Sequence, residues 1–138
     1  MLFRSAEMVG GAAGCLDMAV EYAKTRVQFA RPIGSFQAIQ HKAAEVLLEL
    51  ECARSAAYWA WWVASQPDGD LAEAASLAQS VCADAFERAA TENLQIHGGL
   101  GFTWEHDGHL FYRRAHSSNA LFGDARSHRA RLATHLGV

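Results

Sequence analysis

The feature that most constrains this chain is a helical rhythm of apolar residues, interrupted before residue 103 only at "FARPIGSFQ" (29–37), "SQPDGD" (65–70) and "HGGLGF" (97–102). From Leu2 to about Val27 the apolar stripe is Met8, Val9, Ala12, Leu16, Ala19, Val20 and Ala23, with Glu7, Asp17, Glu21 and Lys24 mostly off it. Gly10, Gly11 and Gly14 interrupt this helix at a cost of up to ~1 kcal/mol each against alanine, so a close approach by a neighbour is their expected use. A methionine placed directly inside a helical pattern suggests that further sequence precedes it or lies on another chain.

In the first break, Pro32 biases Arg31 out of helical geometry, Gly34 permits a tight turn, and Ser35 is positioned to cap the next helix. That helix spans about Phe36 to Ala64, with an expected core stripe of Phe36, Ile39, Ala43, Val46, Leu47, Leu50, Ala53, Ala57 and Trp61. Its "YWAWW" stretch (58–62) puts aromatic rings on several sides, which calls for cover by something, a second subunit included. Asp70 can cap a third, alanine-rich helix from Leu71 to about Gln95. Shorter helices follow from about Trp104 to Ala115 and from about Asp124 to His135. No segment alternates with period two, so no sheet is expected. The architecture is all-α: an antiparallel four-helix bundle with short additional C-terminal helices.

With 138 residues the chain is the size of one domain. Its net charge of −3 divides unevenly: from Gly108 to Val138 five arginines face Asp124 alone, a local charge of +4. Such a patch suits a small phosphorylated ligand, an acidic subunit face or plain solvent, and is too weak for a nucleic-acid partner. Cys15, Cys52 and Cys82 are odd in number and lack C-x-x-C spacing, which speaks against a disulfide framework. No stretch approaches the ~18 apolar residues of a membrane span. The expectation is a soluble, cytoplasmic chain without a membrane association. Seven histidines invite a metal hypothesis, yet no Glu-x-x-His occurs, and no metal site is expected.

Three stretches could carry chemistry. In "QIHGGLGF" (95–102) paired glycines expose backbone N–H groups to a ligand, or simply end a helix. In "TRVQFARPIGSFQAIQH" (25–41) Arg26 offers a fork suited to phosphate and Gln37 an amide, though each alone reads as a surface residue. In "NALFGDARSHRARLA" (119–133) Asp124 could be an acid or base, or the cap of the last helix.

Taken together, R-x-x-F-x-x-x-I-x-x-F-Q, then Q-x-x-G-G-x-G-F, then Y-R before the last helix resemble the C-terminal helical domain of flavin-dependent acyl-CoA dehydrogenases, over essentially the whole of residues 1–138. The resemblance implies a bundle corresponding to the last third of a usual family member, without the N-terminal helical and β domains. It implies FAD as cofactor: Arg26 at the pyrophosphate region, Phe29 beside the cofactor, Gln37 hydrogen-bonded to it, and Gln95, Ile96, His97, Gly98 and Gly99 near the adenosine end of an FAD held by a neighbouring subunit. It further implies an acyl-CoA substrate oxidised to the 2-enoyl-CoA, a homo- or hetero-oligomer of such subunits, and electron-transfer flavoprotein as acceptor.

In the family a glutamate takes the α-proton. Many members carry it in Y-E-G-T before the last helix, and the alignment puts Phe122 at that glutamate and Asp124 at the threonine. Other members carry it on the first helix, at or just before Met1, and Glu7 falls about two turns too late. No catalytic residue is therefore expected, and Asp124 reads as a helix cap. The leading function is that of a domain or subunit of an acyl-CoA dehydrogenase, inactive alone. The alternatives are a non-catalytic subunit completing an FAD half-site in a heteromer, and a helical interaction module without flavin.

Overall fold

The computed structural model of the protein describes residues 2–138. Its helices are α1 (Leu2–Thr25), α2 (Gln37–Ala64), α3 (Leu71–His97), α4 (Gly108–Ala120) and α5 (Ala125–His135), with 3-10 turns at Ile33–Ser35 and Gly98–Phe102. Short connections make α1, α2 and α3 run up, down and up. Gly11 accordingly faces Phe86, while Ala19 and Ala23 near the other end of α1 share a cluster with Ile96.

α4 and α5 lie in tandem, antiparallel to α3. α4 covers its C-terminal half, where Asn119 donates to Glu87, and α5 covers its N-terminal half, where Arg129 pairs with Asp84 and His135 approaches Asp70 and Glu73. The four-helix bundle is α1 to α4, and α5 is the additional short helix. α3 is the spine: α1, α2, α4 and α5 all pack on it.

The core is built from small side chains. Among the described residues, fifteen of the 24 buried apolar residues are alanine, which lets helices approach closely around Phe86 and Met8. Gly11 uses its missing side chain in the expected way, since a Cβ there would lie 2.5 Å from the Phe86 ring. Gly14 is in ordinary contact with Phe111, and Gly10 faces open space. Cys15 and Cys82 are buried and free, their thiols pushed up to about 12 by burial, while Cys52 is exposed.

Four expectations are corrected. A sheet does exist in miniature: β1 (Val27–Gln28) pairs antiparallel with β2 (Arg31–Pro32). Two residues per strand are too few for any alternation to register. Ser35 does not cap α2; its hydroxyl donates to the Pro32 carbonyl at 2.7 Å, and Phe36 is the N-cap, without a side-chain bond. The core face of α2 is Val46, Leu50, Ala53, Ala57, Ala60 and Val63, leaving Leu47 48% and Trp61 49% exposed. α2 packs mainly on α1 and α3, along one side, so its stripe is narrower than its apolar content. Finally, the fourth helix runs from Gly108 to Ala120 rather than from about Trp104 to Ala115, starting after His106 Nδ1 accepts the Gly108 amide at 3.0 Å.

Two caps are where the sequence puts them. Asp70 accepts from the Glu73 amide at 3.0 Å, and Asp124 from the Ser127 amide at 2.7 Å. Hydrogen bonding by Ser127, first its side chain and then its amide, holds the Asp124 carboxyl below its usual range.

Candidate functional site

The turn between α1 and α2 is closed by two backbone bonds: the Arg26 amide donates to the Tyr22 carbonyl and the Ile33 amide to the Arg26 carbonyl, both at 2.8 Å. Between them the hairpin turns over Phe29 and Ala30, whose φ angles are +52° and +62°. This is the geometry of a two-residue hairpin turn that ordinarily takes Asn or Gly. Here each L-residue costs about 1–2 kcal/mol. The strain presents Phe29 outward, 88% exposed, with its ring edge-on to Phe36 at 6.1 Å. The Arg31 guanidinium stacks on Phe36 at 4.0 Å, so the aromatic pair is braced from behind.

Beside this platform two groups are free for an anion. The Arg26 side chain is exposed and enters no ion pair or hydrogen bond among the described residues. Gln37 is the first residue of α2, which begins without a side-chain cap, and the Ile39 and Gln40 amides both donate to the Phe36 carbonyl. The Gln37 and Ala38 N–H groups therefore point outward at the positive end of the helix.

The second stretch ends α3. Gln95 is exposed, whereas Ile96 and His97 are buried. Ile96 packs with Ala19 and Ala23, and His97 is sandwiched between Tyr22 at 4.3 Å and His106 at 4.1 Å. The His97 Nδ1–H donates to the Asn93 carbonyl at 2.8 Å, and burial lowers its pKa from 6.5. Thus His97 orients the turn from inside, while the turn's outer surface is backbone. Gly98 has φ +62°, and neither Gly98 nor Gly99 has any neighbour within 4 Å of where a Cβ would be. Main chain is presented there to whatever docks.

Both patches lie at the same end of the bundle, around Ala19, Ala23, Ile33, Ile39 and Ile96. No hydrogen bond among the described residues joins Arg26, Phe29 or Gln37 to the Gln95–Gly99 turn. The third stretch sits elsewhere. Phe122 (φ +66°) and Gly123 (φ +98°) form the joint between α4 and α5, and the Phe122 ring lies over the Arg4 guanidinium near the start of α1. Arg4 and Arg26 are separated by roughly 30 Å at the helical rise. The joint is locked by His128, whose Nε2–H donates to the Phe122 carbonyl at 3.1 Å and whose pKa is lowered by burial.

Two features escape sequence reading. The outward set of Phe29 depends on two left-handed residues that carry no glycine signal. The burial of Arg4, with Phe122 of the α4–α5 joint against its guanidinium, is set by contacts distant in sequence.

Of the C-terminal arginines, Arg114 pairs with Glu7 at 2.5 Å and Arg129 with Asp84 at 2.5 Å, so part of that charge is neutralised within the fold. Asp70, Glu73 and His135 gather their ligand-capable atoms within 4.8 Å on the surface, where they tie α5 to α3. Among the described residues no helix is long and apolar enough to cross a membrane.

Residues 2–137 match the family described as acyl-CoA dehydrogenase, C-terminal domain. The chain is 42% identical over 128 residues to acyl-CoA dehydrogenase IpdE2 of Mycobacterium tuberculosis, covering 93% of this chain and 38% of that protein. Its fold is similar to butyryl-CoA dehydrogenase from Megasphaera elsdenii, with a TM-score of 0.93 and 31% identity over 99% of this chain and 36% of that one. It is also similar to a chain of the ChsE4-ChsE5 complex from Mycobacterium tuberculosis, with a TM-score of 0.91 and 32% identity over 99% of this chain and 37% of that one. The chain thus spans less than two fifths of the length of each of these proteins.

Proposed function

The chain belongs to the acyl-CoA dehydrogenase family, as its C-terminal domain, and from that premise we propose that it supplies protein walls of FAD sites in an assembly that oxidises an acyl-CoA to its 2-enoyl-CoA. The observation that carries this reading is the strained Phe29 platform, 88% exposed beside an unpaired Arg26 and an uncapped helix start. Backbone strain of this kind persists where the surroundings enforce it and where a ligand uses it.

The residues fit the cofactor. A dinucleotide needs a planar apolar surface, cationic and N–H donors for its pyrophosphate, and backbone that can be approached closely. Phe29 offers the first, Arg26 with Gln37 and the free amides of α2 the second, and the Gly98–Gly99 main chain, with Gln95 beside it, the third. Ile96 and His97 act from beneath by fixing that turn. When bound, FAD supplies the hydride acceptor for the substrate's β-hydrogen.

At the α4–α5 joint Phe122 stands in the glutamate's place and cannot take a proton, and the neighbouring Asp124 is committed to capping α5. The joint and the two cofactor patches are separated by most of the length of α1. One chain then serves the cofactor at one end and the acyl region at the other, an arrangement that favours FAD shared between subunits. Likeness to a chain from the ChsE4-ChsE5 complex supports a heteromer with a base-bearing subunit. Electron-transfer flavoprotein is the expected acceptor.

The test is flavin retention after co-expression with candidate base-bearing subunits of the family. Arg26→Ala and Gly99→Val should each release flavin while leaving the helical content unchanged, because Arg26 has no partner to lose and a side chain at residue 99 meets open space. Indifference of a flavin-loaded complex to both changes refutes the assignment. The isolated chain should not turn over an acyl-CoA with an artificial acceptor, and turnover by it would refute the supplied-base reading.

A further inference from the structure

Arg4 is only 7% exposed, and its Nε and Nη2 have no hydrogen-bond partner among the described residues. A buried cation without a counter-charge is costly, so its retention asks for an anion. Two carboxylates close in sequence to Arg4 and to Phe122 are already engaged. Glu7, one turn along α1, pairs with Arg114, and Asp124, two residues beyond Phe122, caps α5.

The Phe122 ring flanks the guanidinium, its centroid 5.6 Å from Cζ of Arg4, and is itself 63% exposed. The neighbouring Phe3 is also exposed. A buried guanidinium flanked by an exposed aromatic ring suits a carbon chain that ends in a carboxylate, which the planar fork can meet with two parallel bonds. The same joint carries two further buried side chains with an unpartnered polar atom: Ser118 near the end of α4 and His128 in α5. Because Nε2 of His128 donates to the Phe122 carbonyl, its bare Nδ1 is an acceptor and carries no charge to balance Arg4.

We propose that Arg4 is a carboxylate-recognition residue, and that the carboxylate is the far end of the acyl chain, so that the substrate is a dicarboxylic acyl thioester. The assignment to the substrate rests on the dehydrogenase reading, which puts Phe122 beside the acyl chain; carboxylate binding itself rests on the geometry alone.

The experiment separates the two. The flavin-free chain is titrated with adipate, and with acetate and acetamide as controls, at constant ionic strength, while the Arg4 side-chain Nε–H resonance is followed by NMR. Adipate and acetate should shift it saturably and acetamide should not. Arg4→Lys, which keeps the charge and loses the fork, should weaken binding at least tenfold, as read from the melting-temperature shift with adipate. Arg4→Gln should abolish that shift while melting no lower than wild type without ligand. Absence of a saturable shift with either carboxylate overturns the proposal and leaves Arg4 to a protein carboxylate. In a flavin-loaded complex, Arg4→Gln should lower kcat/KM for adipyl-CoA relative to hexanoyl-CoA at least tenfold. An unchanged ratio overturns the assignment to the substrate. Carboxylate binding by the chain, with no flavin in any complex, would instead overturn the dehydrogenase reading.

Discussion

Adding one methyl group at Gly11 should destabilise the domain, and adding it at Gly10 should stabilise it. Both glycines lie inside α1, so alanine at either gains up to about 1 kcal/mol of helix propensity. At Gly10 nothing lies within 4 Å of the new atom, and the gain stands alone. At Gly11 the new Cβ would lie 2.5, 2.6 and 3.1 Å from three atoms of the Phe86 ring. Phe86 is buried in the centre of the main cluster, against α1. Either the ring or α1 itself must move by about 1 Å, at the upper end of the usual overpacking cost, about 3 kcal/mol. The net loss at Gly11 is then about 2 kcal/mol, and the two variants differ by about 3 kcal/mol. In a domain of this size that separates their melting temperatures by roughly 10 °C. Thermal unfolding followed by circular dichroism measures it. Phe86→Leu should couple to Gly11→Ala, recovering at least 1 kcal/mol in the double-mutant cycle. Equal effects at the two glycines, or no coupling to Phe86, would refute this account of the α1–α3 contact.

Ala30→Gly should raise stability by about 0.5–1 kcal/mol, since relief of a residue at φ +62° exceeds the entropy that glycine adds to the unfolded chain. It should leave flavin retention in a co-expressed complex intact because Phe29 stays, and a lowered melting temperature would contradict the strain argument. Stability should also depend on pH through His97 and His128, both held below pKa 6.5 by burial. The unfolded chain takes up protons near pH 6.5 that the folded chain refuses. The stabilisation is therefore complete above that pH and lost as pH falls through the folded values, by at most about 1.4 kcal/mol per unit for each histidine. Urea titrations at pH 7.5, 6.5 and 5.5 measure the slope, which His128→Asn should reduce. A flat profile would refute it.

The helical rhythm and its breaks located the first three helices, and the carboxylates of Asp70 and Asp124 located the caps of α3 and α5, because these signals are local. Three other features depend on contacts made across the chain. Leu47 and Trp61 share a helical phase with buried residues and stay exposed because the packing along α2 is one-sided. Phe29 and Ala30 adopt left-handed φ because the bonds from Arg26 to Tyr22 and Ile33 close the turn around them, whatever their own preference. Arg4 has the local context of a surface residue and is nevertheless buried, with the ring of Phe122, more than a hundred residues later, beside its guanidinium. The expected cofactor residues were legible as a motif; their division into exposed groups (Arg26, Phe29, Gln37, Gln95, Gly98, Gly99) and inner supports (Ile96, His97) was not.

The alanine-rich core also sets how the gene can drift. A single-base transition in an alanine codon yields valine or threonine, and neither codon change makes a side chain smaller. At positions such as Ala12, Ala53, Ala78 and Ala90, where no surface is exposed, such replacements push helices apart instead of leaving holes. The mutational load on this domain is therefore directional: its interior has little volume to lose, and it is most vulnerable to growth.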